Sequence, residues 1–233
     1  MKKILKKAVL FVVAITASAT AFAQPAAGTF SLTPKVGVSA VGLTGDKFNY
    51  EYKLFDGKNV TCDAGYKADF VAGVEAGYQV SHKFALTAGV LYSGQGYSRE
   101  GNLGREGDEL SYYLEDNSKL NLGYVNVPIL ANYYIFKGFA VKAGIQPGFL
   151  VSSKFKKDIT GTGVQKHLDS HETVDAKDYC NKIDLSIPVG VSYELGCGVI
   201  FDLRYNIGLT HVVKDTKGNN SVCQLTVGYK ISL

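Results

Sequence analysis

Charged side chains that could do chemistry recur within otherwise apolar segments of this sequence. Counted from the nearest predicted short turns, two acids and two bases lie at similar depths: Glu75, Lys142, Asp202 and Arg204. Acids and bases that share a low-dielectric interior could act as a gate or a proton path. They could also form a structural ion-pair network, because a buried charge without a partner costs several kcal/mol. We favour the structural network, since such networks perturb ionisation without implying function.

The histidines offer a second candidate site. His167 and His171 have the H-x-x-x-H spacing, which on a helix would present two metal ligands on one face. The spacing falls in a long polar segment and lacks the glutamate of the H-E-x-x-H motif. Two ligands without a third make a poor site, so we predict a solvated loop, no metal and no cofactor.

A lipid-modifying enzyme would need a nucleophile and a base near a membrane rim. His211 beside Thr210, or beside a loop serine, is the arrangement that the sequence offers. Serine and threonine are too common for this pairing to count as a motif. We therefore predict that the protein is not an enzyme and has no catalytic residues.

The four cysteines allow three full pairings: Cys62, Cys180, Cys197 and Cys223. Cys197 lies at a predicted short turn, across the membrane from the other three, and a disulfide needs Cα atoms within about 7 Å. At most one bond can then form among the remaining three. We predict the pair Cys62–Cys180, because both residues fall in outer loops.

The segments that carry these residues alternate between apolar and polar side chains, which is typical of β-strands with one apolar face. In residues 139–151 the odd positions are apolar, and the even positions are polar or small apart from Leu150. This length suffices to cross a bilayer at a tilt, which takes about 9–11 residues. Eight such strands can be drawn, with short turns alternating with long polar connections at 45–66, 98–119, 154–182 and 213–221.

This layout predicts an all-β fold: an eight-stranded antiparallel up-and-down transmembrane β-barrel with short periplasmic turns and long extracellular loops. An open sheet edge would leave backbone groups unpaired in hydrocarbon, so the sheet must close. The alternative is a soluble, lipocalin-like barrel whose apolar face points inward. The charged alternate face and the aromatic residues beside the short turns favour the membrane barrel.

Two features of the predicted strands are irregular. Leu120, Leu122 and Tyr124 have the opposite parity to the apolar residues of 125–133, and we expect a bulge near Tyr124 to reconcile the two sets. Proline cannot donate to a ladder, so we expect the strand prolines to lie at bulges or beyond the ends of neighbouring strands. These are Pro34, Pro128, Pro147 and Pro188.

The N-terminus has the order of a cleaved secretory signal: four lysines, a short apolar run and then Ala21-Phe22-Ala23. We predict a signal peptide over residues 1–23, cleavage between Ala23 and Gln24, and a barrel domain over 24–233. Of the 25 basic residues, removing the four signal lysines leaves 21 against 21 acidic ones. The mature chain therefore has no net charge that would favour nucleic acid as a partner.

Four stretches carry a family resemblance: YVNVPILANYYI, AGIQPGFLVSSK, DLSIPVGVSYEL and RYNIGLTHV. Together they resemble the PorT-like outer-membrane β-barrel domain family, in which an aromatic-x-x-[IV]-P-[LI]-L strand precedes a glycine-rich hairpin. Here that strand is residues 124–130. The resemblance covers essentially the whole mature chain and implies an eight-stranded outer-membrane barrel. Most members have no assigned activity, the name-giving member is tied to a secretion system, and the resemblance implies no catalytic residues.

These observations lead to a first hypothesis of an integral outer-membrane barrel with a filled lumen. Its role would be structural, adhesive or surface-interacting, through its outer loops. An accessory component of a secretion or envelope-assembly system is the alternative, and a lipid-modifying enzyme is the second alternative. The expected partners are outer-membrane lipid, the barrel-assembly machinery through the C-terminal strand, and envelope or secretion proteins.

Overall fold

A computed structural model describes residues 26–44, 50–53, 59–105, 112–163, 170–214 and 218–233. The predicted signal peptide and the Ala23–Gln24 cleavage site lie outside these ranges. Among the described residues, no helix is long and apolar enough to cross a membrane.

The described residues form fourteen strands, and every pair of neighbouring strands is antiparallel. In chain order they are β1 (Phe30–Thr44), β2 (Tyr50–Lys53), β3 (Asn59–Gly65), β4 (Lys67–Ser81), β5 (Phe84–Arg105), β6 (Tyr112–Asp116), β7 (Lys119–Asn126), β8 (Ile129–Phe136), β9 (Phe139–Gly163), β10 (Ser170–Asp175), β11 (Ile183–Glu194), β12 (Val199–His211), β13 (Asn219–Tyr229) and β14 (Ile231–Ser232).

An eight-membered ring makes up the wall of the molecule. Its order is β1, β4, β5, β7 with β8, β9, β11, β12 and β13, and β13 pairs back onto β1. β7 and β8 are two halves of one wall strand, and both pair with β5 and β9. The predicted eight-stranded antiparallel barrel is therefore confirmed.

Side chains alternate between the two faces of this wall. Outward positions are apolar and exposed, with Val36 at 62% and Ile145 at 53% exposure, while their inward neighbours Lys35 and Gln146 are at 6% and 3%. A continuous apolar outer band of this size would be an aggregation hazard in water, whereas it suits a lipid environment. The polar inward positions contradict the lipocalin-like alternative, which needs an apolar lining.

The expected bulge occurs, but on the partner strand and with a different outcome. The register between β7 and β9 shifts between the pairs Gly123↔Ser152 and Tyr124↔Leu150, which leaves the extra residue, Val151, on β9. β7 keeps a single parity, and Leu120, Leu122 and Tyr124 all point into the lumen, 0–4% exposed. The expectation that a bulge would bring them to the lipid face is wrong, because they pack into an apolar cluster inside the barrel.

Three of the prolines pair within the ladders and the fourth, Pro128, lies in the gap between β7 and β8; none of them is at a bulge, which was one expectation. Pro34 pairs with Val74, and Pro188 with Asn206. The Gly89 N–H donates to the Pro128 carbonyl at 3.0 Å, and the Val127 N–H donates to the Pro147 carbonyl at 2.8 Å. A proline lacks the backbone N–H donor but keeps its carbonyl acceptor. Each proline therefore removes one backbone hydrogen bond from the wall without shifting the register of the neighbouring strands.

Much of what the sequence predicts as outer loop is β-structure. The wall needs about 9–11 residues per strand, whereas β5 has 22 and β9 has 25. Beyond the wall, β3 pairs with β5, β5 with β6, β6 with β9, and β9 with β10. Both faces of a sheet that stands above the bilayer can meet water, so these polar strands carry no period-two hydrophobic signal.

The outward orientation of Ile145 can be tested by substitution. We expect Ile145→Arg to lower the free energy of unfolding by about 2–4 kcal/mol in lipid vesicles, because it puts a charge on the lipid face. Ile145→Leu is the matched control and should behave as wild type. Urea titration of both variants measures the difference, and equal stability of the two would contradict a lipid-facing position.

Candidate functional site

The lumen contains an ion network that joins four wall strands. The structure brings together the four charged residues singled out in the sequence, and it adds Lys35 of β1. The Lys35 ammonium donates to Glu75 Oε2 at 2.6 Å and to Asp202 Oδ2 at 2.9 Å. The Arg204 Nη2 group donates to Glu75 Oε1 at 2.9 Å and to Asp202 Oδ2 at 3.1 Å. The Lys142 ammonium donates to Asp202 Oδ2 at 2.5 Å.

Burial makes this ion network a structural brace. Its side chains are 1–7% exposed, and one carboxylate oxygen, Asp202 Oδ2, accepts from three cations. Charges buried this deeply are tolerated only when they are paired and hydrogen-bonded. The contacts tie β1, β4, β9 and β12 together across the lumen, so the network fixes the cross-section of the barrel at this level.

Lys35 is the member that sequence reasoning missed. The alternation along β1 shows that the Lys35 side chain points into the lumen. Its depth within the lumen depends on the register between β1 and β4. β1 places Lys35 opposite Gly73 of β4, two residues before Glu75. That register follows a long connection whose geometry is not encoded by the local alternation, so parity alone could not place Lys35 beside Glu75.

A small cavity lies on the periplasmic side of the ion network. It has a volume of about 40 Å³, and Lys35, Glu75 and Lys142 contribute to its lining. Nearer the mouth, the Lys230 ammonium donates to Glu194 Oε2 at 2.9 Å. Since a single water needs roughly 10–15 Å³, the cavity accommodates only a few water-sized occupants.

The outer half of the lumen is filled by an apolar cluster, which we call the plug. Its buried members are Tyr97, Leu120, Leu122, Tyr124, Leu150, Ala176, Cys180 and Val212. The segment after β10 lies over the barrel interior and holds part of this cluster. The Asn181 N–H donates to the Val212 carbonyl at 2.9 Å, and the Ala176 N–H donates to the Ser153 carbonyl at 3.3 Å. Side chains therefore fill the lumen at both levels, which fits an eight-stranded barrel.

The predicted Cys62–Cys180 disulfide is not formed. Cys180 is a free thiol, 1% exposed, and its Sγ lies 3.5 Å from Ser153 Oγ. The sequence predicts an outer loop at Cys180, whereas its side chain is part of the plug. Cys62 lies in β3, but its side chain is outside the described residues. Cys197 is exposed at its turn, and Cys223 is exposed on the wall strand β13 and not in a loop.

The described histidines do not converge on one site. His171 is exposed and its Nδ1 lies 2.8 Å from Asp158 Oδ1, while His167 lies outside the described residues. Among the described residues, no group of three His, Cys, Asp or Glu side chains could hold a metal ion. The Thr210 hydroxyl donates to Asp184 at 2.8 Å and not to His211, so the proposed nucleophile–base pair is not assembled.

Comparison with known proteins gives a family and several fold-level likenesses. A family model described as outer membrane protein beta-barrel domain matches residues 22–214. Ail, the attachment invasion locus protein of Yersinia pestis solved with the heparin analogue sucrose octasulfate, is 14% identical, with coverage of 88% of this chain and 99% of that one and a TM-score of 0.45.

Two further solved structures are similar to the chain. Neisserial surface protein A is 15% identical over 88% of this chain and 97% of that one, with a TM-score of 0.45. OprG from Pseudomonas aeruginosa is 14% identical over 91% of this chain and 99% of that one, with a TM-score of 0.39. No curated protein sequence matches the chain.

Removing one carboxylate should unbalance the ion network. We expect Asp202→Asn to lower the free energy of unfolding by about 3–5 kcal/mol, because Lys35, Lys142 and Arg204 lose a shared partner while they stay buried. Glu194→Gln is the control, since Glu194 forms one ion pair and its side chain is 19% exposed. Urea titration in vesicles should show a clearly smaller loss for the control. Equal losses in the two variants would contradict a network centred on Asp202.

The plug should shield the Cys180 thiol from reagents. Burial raises the pKa of this thiol, and the thiolate is the reactive form. In detergent micelles we expect a water-soluble maleimide to label a variant containing only Cys180 slowly at neutral pH. Labelling should accelerate at higher pH or after unfolding, whereas a variant containing only the exposed Cys197 reacts at once. Equal labelling rates in the folded state would mean that the plug is open.

Proposed function

Because this chain belongs to the outer membrane protein beta-barrel domain family, we propose that it acts at the cell surface, with its barrel as the membrane anchor. The part that we propose contacts a partner is the surface sheet, which we define as β2, β3, β6, β10 and the outer ends of β5 and β9. The protein is placed in the outer membrane by its family. The interaction itself, and its partner class, are our proposal.

One contrast carries the proposal: the interior of the barrel is filled, while the sheet above it is extended. The ion network and the plug occupy the lumen at two levels, which leaves little room for a solute path. By comparison, β9 continues well past the length that a bilayer requires, and β6 and β10 pair with its outer part. Structure beyond the membrane that is built from paired strands is suited to presenting side chains to a partner.

Exposed charged side chains lie on the outer part of β9 and on the adjoining end of β7, where the wall meets the surface sheet. Exposed lysines occur together along β7 and β9: Lys119, Lys154, Lys156 and Lys157. Lys119 and Lys156 are direct register partners, and like charges in that position repel each other. An anionic partner would relieve this repulsion. We therefore propose contact with an anionic surface, such as an acidic polysaccharide.

The β10 edge of the surface sheet carries charged side chains that disfavour strand addition. β10 is an edge strand, and its exposed side chains include His171, Glu172 and Asp175. Charged residues on an edge strand discourage pairing with another chain. This favours recognition through side chains over recognition through backbone hydrogen bonds.

An accessory role in secretion or envelope assembly is the second proposal, and it depends on the PorT-like resemblance. The motif of that resemblance spans residues 124–130, and its Tyr124 and Leu130 are 0% and 1% exposed inside the lumen. The motif thus contributes to packing the interior, a role that many barrels could share. Crosslinking in intact envelopes followed by co-purification would detect a stable protein partner and support this alternative.

A lipid-modifying activity has less support. The Thr210 hydroxyl donates to Asp184 and accepts from the Leu185 N–H, so both of its hydrogen-bonding roles are taken. We accordingly propose that the protein is not an enzyme. Unchanged outer-membrane lipids in a deletion strain are the expected result.

Charge reversal of the opposed lysines tests the surface role. We expect the double variant Lys119→Glu, Lys156→Glu in vesicles to bind heparin-coated beads at least about tenfold more weakly than wild type, a loss of about 1.4 kcal/mol. The control reverses two exposed lysines at the short turns, Lys83→Glu and Lys137→Glu, and should bind as wild type. Binding should also fall as salt increases. Equal binding by both double variants would contradict the assignment to β7 and β9.

A further inference from the structure

The ion network carries one more positive charge than negative charge. Lys35, Lys142 and Arg204 face only Glu75 and Asp202. The nearby Lys230–Glu194 pair is balanced and changes nothing in this count. A net charge in a protein interior surrounded by hydrocarbon is strongly unfavourable, and it is relieved either by a nearby counter-charge or by loss of a proton from one of the cations.

The other buried carboxylate in the described lumen is too distant to supply that counter-charge. Asp184 lies six residues along β11 from Gly190, the register partner of Arg204. At about 3.3 Å per residue, this separation is roughly 20 Å. Asp184 also accepts a hydrogen bond from the neighbouring Thr210 hydroxyl, so it already has a partner far from the ion network.

Cations of the ion network also have unused donors. Among the described residues, Arg204 Nε and Nη1 are buried without a hydrogen-bond partner. The Lys142 ammonium, which has three N–H donors, makes one hydrogen bond, to Asp202. Buried donors of this kind require acceptors, because leaving them unsatisfied costs the full desolvation penalty. Of these two cations, only Lys142 lies at the cavity beside the ion network, so its ammonium is the group whose donors an occupant of that cavity could satisfy.

The cavity beside the ion network offers space for such an acceptor. It is lined by Lys35 and Lys142 and by the hydroxyl-bearing residues Thr33 and Ser192, all at least nine-tenths buried. Arg204 does not line it, so the two lysines present the excess charge there. The volume of about 40 Å³ that is open to water-sized occupants fits an ion of nearly water size.

We propose that this cavity binds one small monovalent anion of the size of chloride, beside Lys142 on the periplasmic side of the ion network. Glu75 also lines the cavity, but both of its oxygens already accept from cations. The negative charge of Glu75 repels a multivalent anion more strongly than a monovalent one. The single excess positive charge of the ion network matches a monovalent anion. The site is independent of the surface sheet, so its existence does not depend on the proposed surface role.

Anion-dependent stability tests this site. Unfolding midpoints in urea are measured in zwitterionic vesicles at constant ionic strength, with sodium gluconate progressively replaced by sodium chloride. Gluconate is much larger than chloride and is not expected to replace it beside Lys142, so the wild-type midpoint should rise with chloride and saturate as for a single site. A midpoint that does not change with chloride would overturn the proposal.

Two variants and a control identify the binding residues. Lys142→Met removes the excess charge and should abolish the chloride dependence, whereas Lys137→Met at an exposed turn should retain it. If Lys142→Met does not fold, Ser192→Val fills part of the cavity without removing a charge and should weaken apparent chloride affinity at least about tenfold. Full chloride dependence in a folded Lys142→Met protein, or in Ser192→Val, would place the ion elsewhere and overturn the assignment.

Discussion

Hydrocarbon offers no hydrogen-bond partner, so every backbone N–H and C=O in the wall of this barrel needs a partner within the wall. The pairing of β13 with β1 meets that requirement by closing the ring. Near the seam, the Leu233 N–H donates to the Phe30 carbonyl at 2.9 Å, so the pairing continues to the last residue. The prolines are compatible with this requirement because their carbonyls still accept. Closure with eight strands in turn makes the lumen narrow, and the narrow lumen must then be filled.

The filling differs with depth, and the two kinds of filling solve different problems. The ion network braces the periplasmic half with charges that pair with one another, while the plug packs the outer half mainly with apolar side chains. The plug is also the point at which the wall meets the segment after β10. Burial of apolar side chains there holds that segment over the lumen without a covalent link, since the Cys180 thiol is free.

The sequence predicts the wall well because lipid imposes a simple rule on it. Period-two alternation identified the outward face of β9, including Ile145, and located four of the five charges in the ion network. This rule of alternation applies only to the part of the wall that contacts lipid. The sequence predicts loops where the structure has the outer strands, because a sheet above the bilayer is under no constraint to alternate. Leu120, Leu122 and Tyr124 point into the lumen, where the alternation predicts polar side chains. Register between distant strands, which brings Lys35 to Glu75, is a property of the closed ring and not of any one segment.

The span of the ion network along the chain has a consequence for how the barrel assembles. Lys35 and Asp202 are separated by 167 residues and meet only when the first wall strand has joined the last ones. Contacts between such distant residues form late, because loop-closure entropy opposes them until the intervening chain is ordered. A half-formed sheet in the bilayer would therefore carry lysines and carboxylates without their partners. Insertion of hairpins one at a time is penalised, and folding is driven toward a concerted step in which ring closure and the pairing of these charges occur together.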